Sequence, residues 1–295
     1  LGVPLFGALV LAVGEWRLLG LFPLEASAWF AAAGIVHFVI GRYGNYASSA
    51  AIGTNLAAPI LQAEVIITLV LAMVLLGESL TPLRALGIAL IMIGPGLIGR
   101  RDDGKKAAVA GAGSPTNEPT APKSAFKPRY AEGYAYATLA AIAYGCSPIC
   151  IGMGLKAAGG AGVIAGGLIS YVAATLAVGI VLLIVPASTF RLTRSALGWF
   201  SFAGVLVFMS QAFRYAAMGI APVSVVTALQ RLSSLFRIYF GWLMNRDHEV
   251  FDPSVLLATV VSMAGAIALS ISTDLFLSLA DWPYWLVRLA LLTWP

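Results

Sequence analysis

The stretch Val163–Val185 contains no charged side chain. A helix of that length crosses the roughly 30 Å hydrocarbon core of a bilayer, for which about 20 apolar residues suffice. Similar stretches lie at Ala26 to about Asn45, Ser49–Leu76, Leu83–Gly99, Tyr134–Leu155, Leu197–Ile220, Val223–Met244 and Ser254–Ser272, and a shorter one at Leu1–Gly14. The 295 residues are 60% hydrophobic and 11% charged, with mean hydropathy +0.90. A soluble domain is about 25% charged. Its outer face must stay polar, so it has no place for this much apolar surface. The chain therefore reads as an all-α integral membrane protein with room for about nine spans.

Other classes fit poorly. The net charge of +5 is scattered, and no basic run is interleaved with aromatics. That points to the lipid bilayer as partner and away from nucleic acid. Cys146 and Cys150 share a helix face at i, i+4 inside one apolar segment. They read as small packing residues, because a metal site needs more ligands nearby. The only histidines are His37 and His248, and there is neither a His-Glu metal motif nor a Gly-x-Ser-x-Gly elbow. No enzyme activity, metal or cofactor is expected. The chain opens at Leu1 inside an apolar stretch without a basic n-region or cleavage site. The expectation is a membrane segment whose true start is missing or processed, not a signal peptide.

Residues 100–130 differ from the rest, being charged and rich in Gly, Ser and Pro. Such a segment buries too little apolar surface to order itself and reads as a flexible linker. A repeat appears across it. Trp29-Phe30-Ala31-Ala32-Ala33-Gly34-Ile35 matches Trp199-Phe200-Ser201-Phe202-Ala203-Gly204-Val205 at an offset of 170. Glu78-Ser79-Leu80-Thr81-Pro82 matches Glu249-Val250-Phe251-Asp252-Pro253 at 171, and Gly94 matches Gly265 at the same 171. Three landmarks in one register indicate duplication. The offset maps Leu1 to residue 171 or 172, so the first repeat, residues 1–99, lacks its first helix and part of its second. The second repeat, residues 131–272, has five helices. Five spans per repeat force opposite orientations, the inverted-repeat plan of many secondary transporters. Residues 273–295 read as an interfacial or extra C-terminal helix, with Trp at headgroup level.

Leu75-Leu76-Gly77-Glu78-Ser79-Leu80-Thr81, followed by Pro82, Gly87 and Gly94, resembles the turn between the fourth and fifth helices of a repeat in EamA-type members of the drug/metabolite transporter superfamily. In the second half the turn reads Met244-Asn245-Arg246-Asp247-His248-Glu249, which keeps the glutamate but lacks the Leu-Gly. The resemblance implies a ten-helix, 5+5 inverted-repeat bundle around a central cavity. The third, fourth, eighth and ninth helices would form much of its wall, with the first and sixth. It also implies a multi-pass secondary transporter of the bacterial cytoplasmic membrane. Family substrates range over amino acids, other small metabolites, nucleotide sugars and drugs. Locally, Thr81-Pro82 and Asp252-Pro253 each set an N-cap oxygen before a first-turn proline, and Gly77, Glu78 and Glu249 read as structural turn residues.

Ionisable groups inside spans are costly and are functional candidates. The ninth helix of the ten-helix design carries Gln230, Ser234 and Arg237 at i, i+4, i+7, with Thr227 and Arg231 on an overlapping face. Its symmetry mate, the fourth, carries Ser48, Asn55, Gln62 and Glu64. Glu64 maps to Ser234 or Leu235, between the two arginines in depth. A Glu64 pair with Arg231 or Arg237 is either a static bridge between the halves or one that substrate or proton competes for. His37 is either a hydrogen-bonded structural histidine or a proton carrier. On the eighth helix, Gln211 and Arg214 either reach the cavity or, for Arg214, snorkel to the interface. Tyr136 and Tyr144 on the sixth either touch a ligand or pack.

Arginines away from lipid can hold a carboxylate or phosphate. The expected partner is thus a small anionic or zwitterionic solute, with a coupling proton or counter-substrate beside it. The alternatives are a non-transporting remnant, sensor or assembly protein and, less favoured, an intramembrane enzyme. On orientation, the Lys and Arg count places the linker in the cytoplasm, whereas the resemblance implies the opposite; the charge count is preferred. Arg231→Ala or Arg237→Ala is expected to abolish flux in proteoliposomes while the protein still folds. Normal flux in both variants removes these arginines from the site.

Overall fold

The computed structural model describes residues 1–52, 63–90, 129–184, 194–230 and 283–292, with a few isolated positions between them. The described elements are helices. Helix α1 (Gly2–Val13) ends at Gly14 and is followed by a 3₁₀ segment, Glu15–Gly20. Helix α2 (Leu24–Gly34) passes through a π-helical stretch, Ile35–Gly41, into α3 (Arg42–Ile52). Helix α4 (Ala63–Leu71) ends in a second π-helical turn, Ala72–Leu76, and residues 82–90 are helical. Then follow α5 (Tyr130–Ala157), α6 (Val163–Ile184), α7 (Arg194–Ile220), α8 (Val223–Gln230) and α9 (Tyr284–Ala290). Among the described residues, Leu24–Ile52, Tyr130–Ala157, Val163–Ile184 and Leu197–Ile220 are long and apolar enough to cross a membrane.

One boundary differs from the sequence reading. The third span does not end near Asn45 but continues to Ile52, so Ser48 belongs to it and not to the next helix. Nothing in Tyr46-Ala47-Ser48-Ser49 breaks a helix. The Ser48 hydroxyl donates to the Asn45 carbonyl at 2.9 Å, so even this polar group is satisfied within the helix. Toward the C-terminus the described helix is α9, seven residues long.

Helix α5 is the hub. In its spanning window 61% of residues are buried, against 17% for α6. The α2–α3 span packs along its length, and α4 packs on it as well. Helix α6 packs on α2, α1 and α7. Outward faces are apolar, with Leu176, Leu183, Trp199, Phe200 and Phe213 exposed where lipid would lie. Inside, small residues let backbones approach closely. A Cβ on Gly34 would collide with the Ser170 backbone carbonyl, and one on Gly44 would meet the Tyr136 carbonyl. Gly145 faces Ile67, and Phe30 is wedged against Gly154 and Gly166. Buried hydroxyls donate across these contacts, Ser170 to the Phe30 carbonyl at 2.6 Å and Thr68 to the Gly145 carbonyl at 3.0 Å.

The same contacts fix the two ends of the bundle. The Arg129 N–H, just before α5, donates to the Ala51 carbonyl near the end of α3 at 2.9 Å. The start of α5 and the end of α3 therefore share one end. At the other end lie the C-terminus of the α4 segment, where Leu76 faces Gly152, and the starts of α6 and α8, close to Glu15 and Glu78.

Gly34→Ala is expected to cost about 1–3 kcal/mol, because the added methyl forces α2 off α6. Gly7→Ala, whose methyl meets open space, is expected to be neutral or to stabilise by up to about 1 kcal/mol. Thermal unfolding in detergent compares the two.

Candidate functional site

The Gly77-Glu78 turn acts at a distance. Gly77 sits at φ 70, left-handed, which glycine adopts without strain, and the Glu78 N–H closes the turn on the Ala72 carbonyl at 3.2 Å. The Glu78 carboxylate then points at the start of α8. Val223 N–H donates to Oε1 at 2.6 Å, Ser224 N–H donates to Oε2 at 3.2 Å, and the Ser224 hydroxyl also donates to Oε2. A carboxylate here satisfies N–H groups with no intrahelical partner and lies at the positive end of the helix dipole. Beyond the turn, Thr81 Oγ1 accepts from Arg84 N–H at 3.3 Å, the N-cap expected ahead of Pro82.

Gly14-Glu15 repeats this device. Gly14 is left-handed at φ 80, and Glu15 Oε2 accepts from the N–H of Ala165, third residue of α6, at 2.7 Å. Its signal in the sequence is the second occurrence of Gly-Glu directly after an apolar segment.

Within the spans, α7 brings Arg214 against the π-helical stretch Ile35–Gly41 of the Leu24–Ile52 span. Arg214 is 5% exposed, so it does not snorkel to the interface. Its Nη1 lies 3.2 Å from His37 Nδ1 and 3.3 Å from Nε2, and donates to Gln211 Oε1 at 3.2 Å. Neutral imidazole has one lone-pair nitrogen, so one of the two His37 contacts is the hydrogen bond. Arg214 Nε and the Tyr171 hydroxyl are buried with no hydrogen-bond partner among the described residues. A buried guanidinium held by neutral partners is an electrostatically costly arrangement.

Aromatic rings surround this group. His37 lies 4.9 Å from the Tyr144 ring and 4.8 Å from Phe38, and Phe38 lies 4.5 Å from Tyr171. Beyond the Phe38–Tyr171 pair an open cleft of about 390 Å³ runs along α6, lined by Phe38, Arg42, Tyr171, Thr175, Val178 and Leu182 among others. The Arg42 guanidinium sits 5.3 Å over the Phe38 ring.

Of the sequence candidates, the structure thus brings together His37, Gln211 and Arg214, with Tyr144 beside them. Tyr136 is elsewhere, against Tyr43 at 5.7 Å. Glu64 is buried at the start of α4, and Gln230 closes α8. Arg231, Arg237, Ser234, Asn55, Gln62 and Glu249 lie outside the described residues, as do residues 100–128 of the linker. Phe38 and Tyr171 were missed because aromatics in a span read as packing.

Glu78→Ala is expected to lower stability by about 1–3 kcal/mol, since it strands the Val223 and Ser224 donors. Glu78→Gln should recover part of the loss by accepting one bond. Thermal unfolding in detergent separates the two variants.

A comparison with curated proteins finds no match. Among solved structures, one titled "Crystal structure of protein" is similar at TM-score 0.63 and 15% identity, covering 90% of this chain and 82% of that one. At that identity the likeness is one of fold. The family model described as the EamA-like transporter family matches residues 1–100. That region holds His37 and both Gly-Glu turns, and residues 1–100 are an EamA-like transporter family domain of the drug/metabolite transporter superfamily.

Proposed function

We propose that the chain is a secondary transporter of a small anionic or zwitterionic organic solute. It works by alternating access between two inverted repeats, residues 1–99 and 131–272, in the cytoplasmic membrane. The family domain supports the word transporter. The repeat is supported by the register of the spans: displaced by 170 residues, Leu24–Ile52 falls on 194–222, which overlaps α7, Arg194–Ile220.

The observation that carries the solute class is Arg214. It is buried within a span, its partners His37 and Gln211 carry no negative charge, and its Nε is unpartnered among the described residues. A carboxylate or phosphate on the solute would supply the missing charge and the missing acceptor. His37, Phe38, Tyr144 and Tyr171 give the body of the solute an aromatic wall. Because His37 and Arg214 come from different halves, a solute between them touches both moving parts.

The test is uptake into proteoliposomes with a panel of carboxylates, phosphates and neutral isosteres, preceded by a thermal-shift screen with the same panel. Arg214→Ala is expected to remove about 2–5 kcal/mol of solute binding, read as at least about a 30-fold rise in half-saturating concentration. Arg214→Lys should fall between, since it keeps the charge without the planar fork. Wild-type preference for neutral isosteres, or unchanged flux in Arg214→Ala, overturns the assignment.

A further inference from the structure

We infer that Glu15 and Glu78 are paired latches that hold one end of the bundle shut. Both follow a left-handed glycine at the end of a first-half apolar segment. Both project a carboxylate onto the N-terminal N–H groups of a second-half helix, Glu15 onto Ala165 of α6 and Glu78 onto Val223 and Ser224 of α8. The two contacts lie at the same end of the bundle, opposite Arg129 and Ala51. Each joins the two halves, and neither is needed within its own half.

What lies behind the latches is dry. Ile164 and Ala165 of α6, Met218 of α7 and Val223 of α8 belong to one buried apolar cluster. On the other side of the Phe38–Tyr171 pair the cleft follows α6 toward Leu182. Among the described residues the Glu78 end is therefore packed with apolar side chains, and the cleft lies on the other side of the Phe38–Tyr171 pair. Opening this end requires the starts of α6 and α8 to leave the first half; among the described residues the two carboxylate caps are the bonds that hold them there, while the Ser170 to Phe30 bond lies deeper along α6. A carboxylate at a helix N-terminus is a suitable latch. It is directional, and on release both carboxylate and N–H groups can turn to water. This inference rests on the transporter reading for its purpose but not for its test.

The test uses full-length protein in lipid nanodiscs, where both faces are reachable, with Cys146→Ala and Cys150→Ala. One reporter thiol is Met218→Cys, buried behind the latches. A second is Ala140→Cys, buried in α5 against Gly44 toward the other end. Labelling by a charged thiol reagent is compared with and without Glu15→Gln plus Glu78→Gln. The expected result is at least about a fivefold faster reaction at Met218→Cys, the equivalent of roughly one cap, with Ala140→Cys unchanged. Single Glu→Gln variants should fall between. Unchanged labelling at Met218→Cys overturns the inference. So does an equal rise at both reporters, which means the carboxylates merely staple the fold. If the selective rise occurs but wild-type protein moves no solute, the latch stands and the transporter reading falls.

Discussion

The close approach of helix backbones at glycine is the constraint on which the bundle depends. In lipid, apolar side chains gain nothing by leaving the solvent for each other, so helices associate through van der Waals fit and hydrogen bonds. Gly34 against the Ser170 carbonyl and Gly44 against the Tyr136 carbonyl are contacts that no larger residue could make. Once they form, hydroxyls reach carbonyls on neighbouring helices, as Ser170 does to Phe30 and Thr68 to Gly145. Those bonds in turn fix the rotation of α2, α5 and α6 about their axes. Arg214 and His37 can meet only because that rotation is fixed.

The spans were legible because charge is costly over a bilayer's thickness, and that rule acts on sequence directly. Val163–Val185 announced itself, and α6 is Val163–Ile184. The end of the third span was not legible. Tyr46-Ala47-Ser48-Ser49 is polar enough to look like a loop, yet Ser48 satisfies its hydroxyl inside the helix. Local self-satisfaction leaves no mark in composition.

The central site was half legible for a related reason. His37, Gln211 and Arg214 stood out because polar groups in a span are rare. Their meeting did not, since it depends on the π-helical Ile35–Gly41 stretch, and hydropathy carries no trace of a π turn. The paired carboxylate caps show the same limit. Glu78 was visible as part of a motif, but its partner lies 145 residues away, and no local pattern encodes a bond of that range.

The π-helical stretch ties packing to chemistry. A helix that keeps its regular period would carry one face past both α5 and α7 at a constant drift. Widening one turn rotates everything beyond it. In the Leu24–Ile52 span Phe30, Ala33 and Gly34 lie on the packed side before the π stretch and Gly41 lies against Tyr144 at its end. It also turns His37 to meet Arg214. The backbone gives up some hydrogen-bond quality there. There His37 of the Leu24–Ile52 span meets the buried Arg214 of α7, in surroundings where a charge is felt strongly. On the function proposed above, the solute brings the negative charge that the neutral partners of Arg214 do not supply.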